Sequence, residues 1–127
     1  MRCSILFNST VFFTYVHLIG YYFYRPNFTI NLFIITFGLM TSLVNHRYTN
    51  LFTKVVDRIT MIVAFSHNLD LINTINNFYH RYAYIILLTS AALIYLSSKY
   101  LKIKQLHVFA HFLITILHLL LMSIKLL

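Results

Sequence analysis

A succession of apolar runs, each close to the length of a bilayer-crossing helix, dominates what this chain can become. A hydrocarbon core about 30 Å thick takes roughly 20 helical residues to cross. Residues 5–24, "ILFNSTVFFTYVHLIGYYFY", match that length and end on rings suited to a membrane–water interface. "RPN" at 25–27 then breaks the run, because Pro26 fixes its own φ and restricts Arg25. A second span follows over 28–45, a third over 57–72, a fourth over 82–98 and a fifth over 106–124. The fourth carries Tyr82, Tyr84 and Tyr95 near its ends. The third, "DRITMIVAFSHNLDLI", is apolar only in its middle, so it should be enclosed by other helices rather than by lipid. "HRYTN", "NTINNFYHR" and the basic "SKYLKIK" read as the remaining breaks. The expectation is an all-α integral membrane bundle of about five transmembrane helices, with residues 1–127 as one domain.

Composition narrows the partners. The chain is 60% hydrophobic and 9% charged, which is not the profile of an ordinary soluble domain. Its net charge of +8 comes with two acids, Asp57 and Asp70, and no Glu. Basic residues lie between the apolar runs, so the bilayer is the expected partner and nucleic acid is not. One cysteine, Cys3, rules out an intrachain disulfide and a cysteine-cluster metal site. The first run is long for a signal peptide and lacks a small-residue cleavage site, so it reads as a retained helix. The sequon Asn27-Phe28-Thr29 abuts the second span too closely to carry weight. Arg2, Arg47, Lys54, Arg58, Lys99, Lys102 and Lys104 fall on one side of the bundle, and Arg25, Arg81 and Lys125 on the other. That asymmetry places the N-terminus in the cytoplasm. An internal membrane such as the endoplasmic reticulum suits a eukaryotic or viral setting.

The polar residues inside the runs are not scattered evenly. His46 ends the second span, Asp57 begins the third, and "LHVFAHF" puts His107 and His111 at the start of the fifth. In an alternating bundle these three helix ends share one side. Ser42 lies four residues before His46, on the same face and about 6 Å deeper. Ser42, His46, Asp57, His107 and His111 can therefore meet in one layer. Three neutral imidazoles are a usual complement for catalytic zinc, with the fourth position left to water. Asp57 then serves as proton acceptor or as orienter of a ligand histidine, and Ser42 as a hydrogen-bond donor. Such a site implies a lipid substrate.

Each residue also has a plainer use. Among seven histidines an i, i+4 pair arises readily by accident. Ser42 can bond its own i−4 carbonyl. Asp57, Arg58 and Lys54 can form an ion-pair cluster at a helix end. His17 reads as an interhelical hydrogen-bonding residue, and His118 as a packing residue or a further ligand. His67 and Asp70 stand at the far end of the third span, and His80 reads as a loop residue.

Ser42-x-x-x-His46, Asp57 eleven residues on, and His107-x-x-x-His111 in the last span resemble the pattern of the alkaline ceramidase-like superfamily of membrane hydrolases, which includes adiponectin receptors. The resemblance implies zinc held by His46, His107 and His111. It also implies Asp57 and Ser42 contacting the attacking water, and hydrolysis of a lipid amide such as ceramide. Members carry seven helices, and the shortfall here lies between Asp57 and His107. Losing an even number preserves the direction of the last helix.

Three functions compete. The first is a zinc-dependent lipid amidase or esterase. The second is a small structural or pore-forming membrane protein without catalysis. The third is a haem carrier using His17, His46, His107, His111 or His118, although only Gly20 and Gly38 are available to make room for the ring.

Overall fold

The computed structural model describes residues 4–27 and 29–127. Phe28, the expected start of the second span and the centre of the sequon, lies outside the described residues, as do Arg2 and Cys3. Helices α1 (Ser4–Tyr24), α2 (Ile30–Arg47), α3 (Leu51–Asn73), α4 (Phe78–Leu101) and α5 (Lys104–Ser123) follow one another, with no strand among the described residues.

Local chemistry sets the ends. α1 stops where Arg25 takes a left-handed φ of 44° ahead of Pro26. The Thr29 side chain caps α2 by accepting the Leu32 amide. Asn50 and Thr53 form a reciprocal capping box, with bonds of 2.9 and 3.0 Å. Asn77 accepts the His80 amide and starts α4, which Lys102 ends with φ of 57°.

These caps correct three sequence boundaries. α3 begins at Leu51 rather than Asp57, so Asp57 sits in its second turn. Tyr79, His80 and Arg81 are helical rather than loop, and His80 stacks on Tyr84. Most of "SKYLKIK" is helix, with only Lys102 and Ile103 between α4 and α5. The apolar runs mark the middle of each helix, whereas the caps close it a turn further out.

Each helix packs against its chain neighbours, and α5 returns to α1, closing a ring. Phe13 meets His111 and His17 meets His118, so α1 and α5 run parallel. One end of the ring gathers the start of α1, the end of α2, the start of α3, the end of α4 and the start of α5. The other end holds an apolar core of Ile35, Ile72, Leu88, Leu117 and Leu121. Gly20 permits close approach there, since a Cβ would lie 2.7 Å from Leu119 Cδ2.

Beside the apolar core many polar side chains are buried, while many large apolar ones face outward. Thr10, His17, Ser42, Asn45, His46, Asp57, Asn68, His107 and His118 are buried. Phe12, Ile19, Phe33, Ile62, Ile86, Leu93 and Leu96 are exposed. By length and composition α4 and α5 are apolar enough to cross a membrane, while α1, α2 and α3 fall short of that mark.

Candidate metal centre

The last turn of α2, the second turn of α3 and the first turns of α5 meet at one end of the ring. There His46, His107 and His111 each offer one ligand atom, and these atoms all lie within 4.8 Å of one another. His107 Nε2 and His111 Nε2 are 3.0 Å apart, as their i, i+4 spacing on one helix dictates. The His46 ring reaches across the ring of helices, its centroid 5.2 Å from His107 and 6.2 Å from His111. Nitrogens around one tetrahedral ion at 2.0–2.1 Å stand roughly 3–4 Å apart. The three histidines thus form a group that can hold a metal ion.

The other two expected residues are in the same layer. Asn45 Nδ2 donates to Asp57 Oδ2 at 2.9 Å, while Asp57 Oδ1 is buried and accepts no hydrogen bond among the described residues. An unpartnered buried acceptor costs about 1–3 kcal/mol, which a water or a ligand's N–H or O–H would recover. Most hydroxyls on these helices bond back to a carbonyl one turn earlier, as Thr10, Thr60 and Thr115 do. Ser42 instead turns toward His46 Nε2 at 3.4 Å, a long contact, and stands beside the Asp57 carboxylate. The plain reading of Ser42 as a back-bonded helix residue does not hold.

Several residues at the site carried no functional signal in the sequence. Asn45 tethers Asp57. The Tyr95 ring packs edge-on against His107 at 5.0 Å, and Lys99 Nζ lies 5.2 Å from the Tyr95 centroid. Phe13 stacks over His111 at 6.3 Å with its plane 10° away. Ser42 and His46 declare themselves by spacing within one helix. Tyr95 and Phe13 come from other helices, and only packing reveals them. Beside His46 opens a cavity of about 260 Å³, lined also by Asp57, Tyr95 and four cations.

A second polar layer lies deeper in the ring. The Phe13 carbonyl can only accept, so His17 Nδ1 donates to it at 2.7 Å. His17 Nε2 then accepts from His118 Nδ1 at 2.9 Å, and His118 Nε2 accepts from Asn68 Nδ2 at 3.1 Å. Every ring nitrogen of both histidines is used while both remain neutral. His17 is therefore an interhelical hydrogen-bonding residue, as expected, and His118 bonds α5 to α1 and α3 rather than joining the three clustered histidines. His67 lies away from both layers, bonded to Asn31 at 3.2 Å.

No family model matches this chain, and neither a curated protein nor a solved structure is significantly similar to it.

Proposed function

We propose that this protein is a multi-pass membrane hydrolase that uses zinc to cleave a lipid amide or ester. One observation carries the reading. Three imidazoles from two helices converge within 4.8 Å, beside a buried carboxylate that Asn45 holds by one oxygen and whose other oxygen has no hydrogen-bond partner within bonding geometry among the described residues, with Ser42 alongside. A structural cluster would satisfy that oxygen, whereas a site that takes up water has a use for it. The order Ser42, His46, Asp57, His107, His111, with its resemblance to the ceramidase-like pattern, adds support. So does the apolar outer surface, which is costly in water and at rest in lipid.

His46, His107 and His111 would hold the ion. Zinc supplies Lewis acidity to the scissile carbonyl and to the attacking water. Asp57 Oδ1 accepts the proton of that water, and Asn45 holds the carboxylate by its other oxygen. The Ser42 hydroxyl donates a hydrogen bond to charge developing at the carbonyl. The C–N or C–O bond then breaks, Asp57 gives the proton it took to the leaving nitrogen or oxygen, and the products are a fatty acid and an amine or alcohol.

A non-catalytic bundle is the competing reading, with the 3.0 Å His107–His111 contact as a simple hydrogen bond in its favour. Purified protein in vesicles separates the two. Turnover of an N-acyl sphingoid or acyl ester that stops on chelation and returns with zinc is the expected result. A zinc-loaded protein that turns over neither class overturns the hydrolase reading.

A further inference from the structure

The end of the ring that carries the three clustered histidines has a rim unlike the opposite end. Two short connections meet there, residues 48–50 between α2 and α3, and Lys102 with Ile103 between α4 and α5. Local chemistry fixes both, the first through the Asn50–Thr53 capping box and the second through the left-handed backbone of Lys102. Tyr100, Leu51 and Phe52 stand out from this rim, 88%, 80% and 75% exposed, and Tyr48 and Leu101 are exposed with them. Among these lie Lys54, Arg58, Lys102 and Lys104, all exposed, and Arg47, whose guanidinium stands over the Tyr48 ring. No acid is exposed at this end among the described residues. Asp57 is buried and held by Asn45, and the chain's other acid, Asp70, lies toward the far end of α3.

The opposite end is as rich in exposed rings, with Tyr22, Phe23, Phe78 and Tyr79. Its basic residues are Arg25, Arg81 and Lys125, and Asp70 belongs to it. Rings of this kind favour a membrane–water boundary at either end. The surplus of positive charge singles out one. Apolar side chains so exposed fit the boundary of headgroups and acyl chains, while cations on the same turns reach the charged groups just outside it. An acidic soluble protein would meet the cations alone, whereas a lipid leaflet meets both.

We propose that this rim gathers anionic lipid headgroups around the mouth of the bundle. The proposal rests on the membrane reading of the chain, and neither zinc nor hydrolysis enters it. A basic side chain close to an anionic membrane surface gains about fivefold in affinity for it. Averaged over all the lipids that touch five helices, the preference is smaller.

Lipid selectivity tests this. The full chain is reconstituted in phosphatidylcholine vesicles that carry either spin-labelled phosphatidylserine or spin-labelled phosphatidylcholine. Electron spin resonance reads the fraction of each label slowed by the protein. Phosphatidylserine is expected to be favoured at least about twofold at low salt. The preference should vanish at about 1 M salt, where charges are screened beyond about 3 Å. Lys54→Gln with Lys102→Gln and Lys104→Gln should remove most of it. Arg25→Gln with Arg81→Gln and Lys125→Gln, an equal loss of charge at the other end, should leave most of it in place. An equal loss in the two triple variants overturns the proposal, since net charge rather than the rim would then be responsible. If the first variant does not reconstitute, the salt series on the wild type decides, and a preference untouched by salt overturns the proposal. Slowing of neither label sinks the membrane reading together with the rim. Equal slowing of both leaves the membrane reading standing and sinks the rim alone.

Discussion

The ring of helices holds two histidine layers about two turns apart, and they differ in what they leave open. In the deeper layer Asn68, His118, His17 and the Phe13 carbonyl form a directional chain in which each donor has its acceptor. In the outer layer His107 and His111 share one hydrogen-bond contact, His46 is held by a long one to Ser42, and Asp57 Oδ1 has none among the described residues. Burial does not separate the layers, since His46 and His107 are as enclosed as His17 and His118, but the outer one borders a cavity at His46. Buried polar groups are expensive in both places. One layer offsets that cost by ties between helices, and the other keeps capacity for a ligand. Histidine content alone does not separate these roles; the tally of donors and acceptors does.

The largest expected difference between the layers comes from His111→Ala. Two imidazoles remain, so bound metal and turnover should both disappear, read by elemental analysis beside a lipid-amide assay. Full metal content in this variant would merge the layers into one structural class.

Asp57→Asn should sharpen the division within the outer layer. It preserves shape and removes the base, so metal should stay while turnover falls by about two to four powers of ten. Undiminished turnover would leave the ion and reassign the base. Ser42→Ala should cost less than this, since one hydrogen bond to developing charge is worth at most roughly 2.7–4 kcal/mol. A Ser42→Ala variant as impaired as Asp57→Asn would make the hydroxyl part of the base.

Asn68→Leu should show the smallest functional effect. It strands His118 Nε2 and should lower stability by about 0.6–1.7 kcal/mol, the range for interhelical hydrogen bonds in lipid, with metal content and turnover unchanged. Unfolding in mixed micelles checks the stability, and loss of metal in this variant would couple the layers.

The outer layer was largely legible in the sequence because its members declare themselves locally. Ser42 with His46, and His107 with His111, are i, i+4 pairs that share a face in any helix. Alternation of short-looped helices then brings their ends together with Asp57. The deeper chain was less legible. His17, Asn68 and His118 lie on three helices, and whether they meet depends on how each helix is rotated about its axis, which spacing within a single helix does not fix. The same holds for Tyr95 against His107. Helix ends were misplaced where a cap overrode hydropathy, as at Asn50 and Asn77. The capping box of Asn50 and Thr53 could have been read, since an N-cap residue followed three positions later by a partner is a sequence signal.

His46 is the residue on which the distinction turns, because it alone brings an α2 imidazole to the pair on α5. Zinc per chain, measured on wild type, His46→Ala and Asn68→Leu purified in parallel, is the most direct test. About one ion is expected in the wild type and in Asn68→Leu, as for a three-histidine site, and none in His46→Ala. A wild type without zinc after reconstitution, or His46→Ala with as much zinc as the wild type, would contradict it.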